Sequence, residues 1–249
     1  MRIIAGEFRS RRLHAPPEGS PTRPMPDRVR ESLFGLLRGH TEGAAVFDAF
    51  AGTGSIGLEA VSRGATRCVM VERDRRVSAT LERNIRELGA EDRCEVVVGD
   101  ALGAGALAAC PMPVHLVFFD PPYGLVEDAA GWQRARSQFM RLIDRLDETG
   151  YAVLRTPWPF LHGEQATPAP TQPTSARAAR PARRRGRPME PMEHDEPEAD
   201  SENEAASPPS PAPPKTRVDL SLPNALGPET HVYHHTAVHL YMRKPAAVT

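Results

Sequence analysis

The sequence predicts an α/β fold: a doubly wound, mostly parallel sheet with an antiparallel last strand, preceded by a small basic extension of hairpin and helix. Three observations predict it. From residue 46 to residue 154 short apolar runs alternate with stretches of helical periodicity, the pattern of a parallel sheet covered on both faces. Residues 46–64, VFDAFAGTGSIGLEAVSRG, pass from an apolar strand ending in Asp48 through a turn at Gly52, Gly54 and Gly57 into a short helix closed by Gly64. After a long proline-rich segment, strand character returns in HVYHHTAVHLYM, where residues 236–242 alternate, so the last two strands are expected to pair antiparallel at the sheet edge.

Residues 1–14 alternate and carry arginines, which suits a strand or hairpin with a charged face; Pro16, Pro17, Gly19, Pro21 and Pro24 then enforce an irregular loop. Asp27 can N-cap a helix in which Val29, Leu33, Leu36 and Leu37 share one face, leaving Arg28, Arg30 and Glu31 on or beside the exposed one, with Gly39 at its end. Strands are expected at 45–47, 67–72, 94–98, 114–119 and 151–154, and helices at 55–63, 74–88 and 132–146; the stretch 100–110 is Ala/Gly-rich and weakly helical. Residues 166–214 hold 12 of the 26 prolines and no Val, Ile, Leu, Phe, Tyr or Trp, so they cannot bury the apolar area that offsets ordering entropy. The expected organisation is an N-terminal extension over 1–40, a main domain from 41–165 plus 215–249, and a disordered insert over 166–214. The insert's arginine run (Arg183, Arg184, Arg185, Arg187) precedes an acidic run over 190–204, a polyampholyte that reads as a solvated linker.

With 249 residues and 40% hydrophobic content the chain can build a substantial core. Its net charge of −1 does not advertise a nucleic-acid partner, but the distribution does: Arg2, Arg9, Arg11, Arg12, Arg23, Arg28, Arg30 and Arg38 crowd the first 38 residues against four carboxylates. The three cysteines, Cys68, Cys94 and Cys110, form no C-x-x-C pair and read as reduced core thiols of a cytoplasmic protein. No segment approaches the ~18 apolar residues of a membrane span, and the N-terminus has no signal-peptide core. His231, His234, His235 and His239 invite a metal, but in a strand residues four apart lie roughly 13 Å from one another, so no metal site is expected.

The glycine turn is a cofactor motif in this context, because a strand precedes it, a helix follows it, and Glu72 stands about 20 residues past Gly52, where a carboxylate can accept from ribose hydroxyls. A dinucleotide and S-adenosylmethionine compete for such a turn. A carboxylate at Asp48 repels a pyrophosphate and favours the ammonium and sulfonium of a methionine moiety. Asp100, in VVVGDA, is placed to accept from the adenine amino group. Singly, each acid also reads as a cap, a strand end or a turn residue; three at the carboxyl ends of consecutive strands coincide with the place where open α/β sheets bind ligands.

The strongest chemical signal is FFDPPYGL, at the end of the fourth strand. A nucleobase amine is a poor nucleophile because its lone pair is delocalised into the ring. Asp120 and a backbone carbonyl, presented by a turn stiffened by Pro121 and Pro122, can accept both N–H bonds and leave the lone pair aimed at a sulfonium methyl, while Tyr123 stacks on the base. Asp120 also stabilises the cation that develops on the nitrogen.

With these residues in place the chain resembles the bacterial 16S ribosomal RNA guanine-N2 methyltransferases of RsmD type, among the class I S-adenosylmethionine-dependent enzymes. The resemblance rests on RIIAGEFRSRRL, RPMPDRVRESLFGLL, FDAFAGTGSIGLEAVSRGA, VERD and FFDPPY. It implies a Rossmann-like seven-stranded sheet and methylation of one guanine N2 in 16S RNA within an assembling small subunit. The catalytic set is then Asp120, Pro121, Pro122 and Tyr123. The cofactor set is Asp48, Phe50, Gly52, Gly54, Gly57, Glu72, Arg73, Asp100 and Ala101. The RNA-binding set is Arg2, Arg9, Arg11, Arg12, Arg23, Arg28 and Arg30, on a protein expected to be a monomer. Ala5, the turn at His234 and His235, and the insert depart from the family pattern. Rival readings are an amino-methyltransferase for DNA adenine N6 or cytosine N4, and a non-catalytic ribosome-assembly binder; a nicotinamide dehydrogenase is disfavoured by Asp48.

Overall fold

Alternation along the chain sets the layers. In the computed structural model, which describes residues 1–20, 25–163 and 215–245, the elements follow one another as α1 (Asp27–Leu36), β1 (Ala45–Asp48), α2 (Gly57–Ser62), β2 (Arg67–Glu72), α3 (Arg75–Leu88), β3 (Cys94–Val98), α4 (Ala104–Ala109), β4 (Val114–Phe119), a single 3₁₀ turn (Tyr123–Leu125), α5 (Ala129–Ile143), β5 (Leu146–Pro157), β6 (Leu161–Gly163), β7 (Lys215–Arg217), β8 (Ala225–Tyr233) and β9 (Thr236–Arg243). The main sheet has seven strands in the order β3-β2-β1-β4-β5-β9-β8, parallel through β5 and antiparallel beyond it; β6 and β7 form a separate two-stranded ribbon. The insert expected over 166–214, and Arg23, lie outside the described residues.

Successive strand residues face opposite sides of the sheet. Val46 and Phe118 face α1, α2 and α3, where Leu33, Phe34, Leu58 and Leu81 close one core. Phe47 and Phe119 face α5, where Phe139 sits with its ring 5.1 Å from Phe119 and 5.4 Å from Tyr241. The three thiols are free, Cys68 and Cys110 buried. No described helix is long and apolar enough to cross a membrane.

The strands differ from expectation where partners distant in sequence decide. Leu146 continues the apolar spacing of Leu142 and Ile143, but the helix ends at Ile143 and Leu146 pairs with Val114 as the first residue of β5. β5 runs well past the expected 151–154 because its antiparallel partner β9 pairs with the polar residues Arg155 and Thr156. Residues 237–241 of β9 are continuously buried rather than alternating, since β9 is an interior strand with both faces covered. The second helix is shorter than 55–63 by two residues at its start and one at its end.

The N-terminal arm folds back on itself, with Arg2 bridging Arg12, and Ile3, Phe8 and Leu13 enter the same core as α1 and α2. Glu59, wholly buried on α2, accepts the backbone N–H of Ile4 at 2.7 Å and of Ala5 at 3.1 Å. Ser62 accepts the N–H of Phe8 through its hydroxyl at 2.9 Å and that of Glu7 through its carbonyl at 2.7 Å. Gly6 has φ +82°, and a Cβ there would lie 1.7 Å from the Ser62 carbonyl oxygen, so this approach admits only glycine.

α1 departs from expectation at two residues. Pro26 occupies the cap position, and Asp27, one residue inside the helix, accepts instead from Arg30 Nη2 at 3.0 Å. Arg30 is not on the exposed face: it is fully buried, donates to the Arg2 carbonyl at 2.6 Å, and places Nε 3.8 Å from Glu59. It fastens the arm and has no surface to offer RNA.

Candidate active site

The parallel order places the C-terminal ends of β1 to β5 along one edge, with the chain reversing direction of growth at β1 and β4, where α/β sheets open a crevice. A cleft of about 1020 Å³ occupies that edge. It is lined by Phe50, Gly52, Glu72, Arg73, Asp100, Ala101, Asp120, Pro122 and Tyr123 from the expected set, so the glycine corner and the D-P-P-Y corner share one cavity. Asp48, Gly54, Gly57 and Pro121 do not form its wall.

Asp48 stands behind the glycine turn, fully buried, with Oδ2 accepting the Gly57 N–H at 3.1 Å. Its Oδ1 has no partner. Burial, with repulsion from Asp120, pushes its pKa up to about 7, against the backbone N–H groups of Gly57 and Phe50. A Cβ on Gly57 would lie 2.7 Å from Met70 Sδ, so glycine lets α2 approach β2 and bring its first N–H to Asp48. Glu72 accepts Gly52 N–H at 3.0 Å through Oε2 and Asp74 N–H at 2.7 Å through Oε1, which fixes the carboxylate at the cleft wall with a lone pair on each oxygen still open. Asp100 accepts the Leu102 N–H at 3.0 Å and is otherwise exposed to the cleft, and Ala101 is held through its carbonyl by Gln138 of α5 at 2.9 Å.

At the other corner Asp120 Oδ1 receives Arg155 Nε at 2.5 Å. Burial raises its pKa, and the guanidinium opposes that rise. The Arg155 guanidinium also lies 5.5 Å from the centre of the Tyr123 ring. Tyr123, 40% exposed, donates its hydroxyl to Thr236 Oγ1 at 3.0 Å, and Thr236 in turn donates to the Thr156 carbonyl at 3.0 Å. Sequence reasoning missed Arg155 and Arg134, both in the cleft wall. The signal for Arg155 was present, a charge closing the apolar run YAVLR that a buried strand tolerates only with a partner.

Outside the cleft, Arg2, Arg9, Arg11, Arg12 and Arg28 are exposed, with Arg11 donating to the Glu87 carbonyl at 2.5 Å. His239, far from being a ligand, is buried between the hydroxyls of Thr156 and Thr230, each 2.9 Å from a ring nitrogen, and burial lowers its pKa to about 4. No cluster that could hold a metal occurs among the described residues.

A nucleoside-bearing cation fits this cleft. The held carboxylate of Glu72 and the exposed one of Asp100 offer acceptors, Asp48 with its unpartnered Oδ1 lies behind the turn as a buried acid, and Phe50, Ile56, Val71 and Leu125 offer apolar walls.

Residues 1–143 match the family model described as conserved hypothetical protein 95. The chain is 42% identical over 173 residues to ribosomal RNA small subunit methyltransferase D of Escherichia coli K12, covering 66% of this chain and 84% of the relative. Its fold superimposes on the Escherichia coli protein yhhF with a TM-score of 0.60, at 26% identity and 98% coverage of both chains. It also superimposes on a Thermus thermophilus protein with a TM-score of 0.57 at 24% identity, covering 96% of this chain and 98% of that one. With the family model spanning more than half its length and the Escherichia coli K12 relative so similar, the chain belongs to the conserved hypothetical protein 95 family, the methyltransferases of RsmD type.

Proposed function

We propose that this chain transfers a methyl group from S-adenosylmethionine to the exocyclic N2 of a guanine in 16S ribosomal RNA, in the context of the assembling small subunit. The observation that carries the reading is the shared cleft: the acids that suit a nucleoside cofactor and the carboxylate that suits a base amine open into one cavity. The relative's name supplies the substrate class, and the exposed arginines of the arm suit a polyanion.

S-adenosylmethionine, when bound, supplies an electrophilic methyl on a sulfonium. The residues of this chain do the rest. Glu72 is held by two N–H groups to accept ribose hydroxyls, Asp100 stands to accept from the adenine amine, and Asp48 offers negative charge behind the turn. An RNA base must leave its stack to reach such a cleft. Arg155 occupies Oδ1 of Asp120, which leaves Oδ2 to accept an N–H of the guanine amine; the Tyr123 ring, anchored through Thr236, covers the base. As the nitrogen gains charge, Asp120 stabilises it and can take the departing proton, for which its burial-raised pKa fits it.

Tritiated-methyl transfer to 16S RNA and to small subunits from a strain lacking this gene, compared with duplex DNA, tests the reading. Label in the small-subunit RNA at guanine N2 is expected; label in DNA alone assigns the cleft to a DNA amino-methyltransferase instead.

A further inference from the structure

The turn at His234 and His235 and the root of the long insert are far apart in sequence and adjacent in space. Trp158, just beyond β5, donates its backbone N–H to the His235 carbonyl at 2.9 Å. The chain then forms β6, leaves the described residues, and returns as β7, so these two short strands are the ribbon from which the insert springs. Both lie beyond residues 1–143, which the family model spans.

The ribbon is fixed to the rim of the cleft. His162 of β6 is buried with Nε2 2.9 Å from the carbonyl oxygen of Val126, at the end of the turn that carries Tyr123. On the other side, Thr236, next to His235, accepts the Tyr123 hydroxyl. The residues presented there are an aromatic and cations. The Arg217 guanidinium lies 4.6 Å from the centre of the half-buried Trp158 ring. Lys215 and Arg217 are exposed and meet no carboxylate within 4.0 Å among the described residues; His234, at φ +53°, and His235 are exposed beside them.

Aromatic faces interleaved with unneutralised cations are what a single nucleic-acid strand requires: the ring stacks on a base and the cations take the phosphates. An arginine already parked over the ring keeps the indole face oriented and can slide to a phosphate when a base replaces it. We infer that Trp158, Lys215 and Arg217 form a single-strand RNA contact at the mouth of the cleft, gripping the nucleotides next to the target guanine once that base has left its stack. This rests on the RNA reading above and gives the substrate a second handhold, distinct from the N-terminal arm.

The test uses the full chain and a fluorescein-labelled single-stranded RNA oligonucleotide of mixed sequence, followed by anisotropy across a salt series, with S-adenosylmethionine affinity measured by calorimetry on the same samples. Trp158→Ala should weaken RNA binding about tenfold, with Trp158→Phe restoring most of it. Because Trp158 is half-buried, the exposed pair Lys215→Gln with Arg217→Gln provides a variant that leaves the core alone; it should reduce the slope of log affinity against log salt by about 1.4, that is, about 0.7 for each lost phosphate contact on a single strand. Cofactor affinity should stay within about twofold in all of them. RNA affinity and salt slope at wild-type values in both sets, with unchanged circular dichroism, overturn the proposal. So does a loss seen only with assembled small-subunit particles and not with free RNA, which assigns the patch to a ribosomal protein. Failure of the functional reading looks different: the wild-type chain then transfers no methyl to 16S RNA, whatever the ribbon variants do to RNA binding.

Discussion

Among the described residues two arginine–carboxylate pairs are buried, and they do opposite things. Arg30 and Glu59 are both sealed, at 0% side-chain exposure, and Glu59 is saturated by two backbone N–H groups and Arg63 besides. Arg155 and Asp120 each keep 11% exposure, and only one oxygen of Asp120 is taken. A pair whose every acceptor is used can only hold structure. A pair that leaves one oxygen facing a cleft stores an acceptor for a ligand, and its arginine sets how acidic that acceptor is. The difference lies in what surrounds the charges, since the residue types are so alike.

The contrast can be broken most severely at the cleft. Asp120→Asn should lower kcat for methyl transfer about 10³-fold, with S-adenosylmethionine affinity and the unfolding midpoint little changed because the amide oxygen still accepts from Arg155; an active variant would remove the Asp120 carboxylate from the chemistry. Arg30→Ala should do the reverse. It should cost about 3 kcal/mol in urea unfolding, since it empties a fully buried site and breaks the bond to the Arg2 carbonyl that fastens the arm, while kcat of the protein that remains folded holds. A milder loss for Arg30→Met, which keeps volume without charge, would sharpen the structural assignment; a stable Arg30→Met protein unable to bind RNA would return Arg30 to the substrate.

Arg155→Gln should have a smaller effect, about tenfold in kcat, because the amide can still donate to Asp120 but no longer opposes the rise of its pKa. The pH profile of kcat should then move its acidic limb upward, a displacement that a merely structural arginine would not produce. The smallest effect concerns Asp48. Its pKa is raised from the ordinary carboxylate range to about 7, so the folded chain holds a proton that the unfolded chain has lost, and the stability of the ligand-free protein falls as pH climbs from about 4 to about 7. A cation bound beside it favours the ionised form. Calorimetry of S-adenosylmethionine binding at about pH 6.5, in buffers of different ionisation enthalpy, should show release of a fraction of a proton that fades above about pH 8 and is absent in Asp48→Asn.

Much of the site was legible before the structure. The strands Arg67–Glu72 and Val114–Phe119 stand where apolar runs place them, because a parallel strand buried on both faces is a continuous apolar segment, and the edge strand Cys94–Val98 follows from its β-branched run EVVV. Asp48, Glu72, Asp100 and Asp120 could be read as strand-end acids for the same reason. Where reading failed, a local rule met a distant partner. The spacing of α1 put Arg30 beside its exposed face, yet the arm that covers it comes from residues 2–5 and is pinned by Glu59, 55 positions from Ile4. Leu146 fitted the helical period of α5 and was taken instead by pairing with Val114.

By itself, then, the amino-acid order determined which segments are strands and helices, which turn needs glycine, and which acids end up at one edge of the sheet, because these follow from side-chain period and spacing over a few residues. The tertiary structure alone decided which charges are sealed and which stay open: that Arg30 fastens the arm, that Arg155 reaches Asp120 across 35 residues, that Asp48 sits behind the turn rather than in the cleft wall, and that Trp158 stands beside His235. Burial and through-space neighbours control the cost of a charge and its proton affinity, and neither is written in the local pattern.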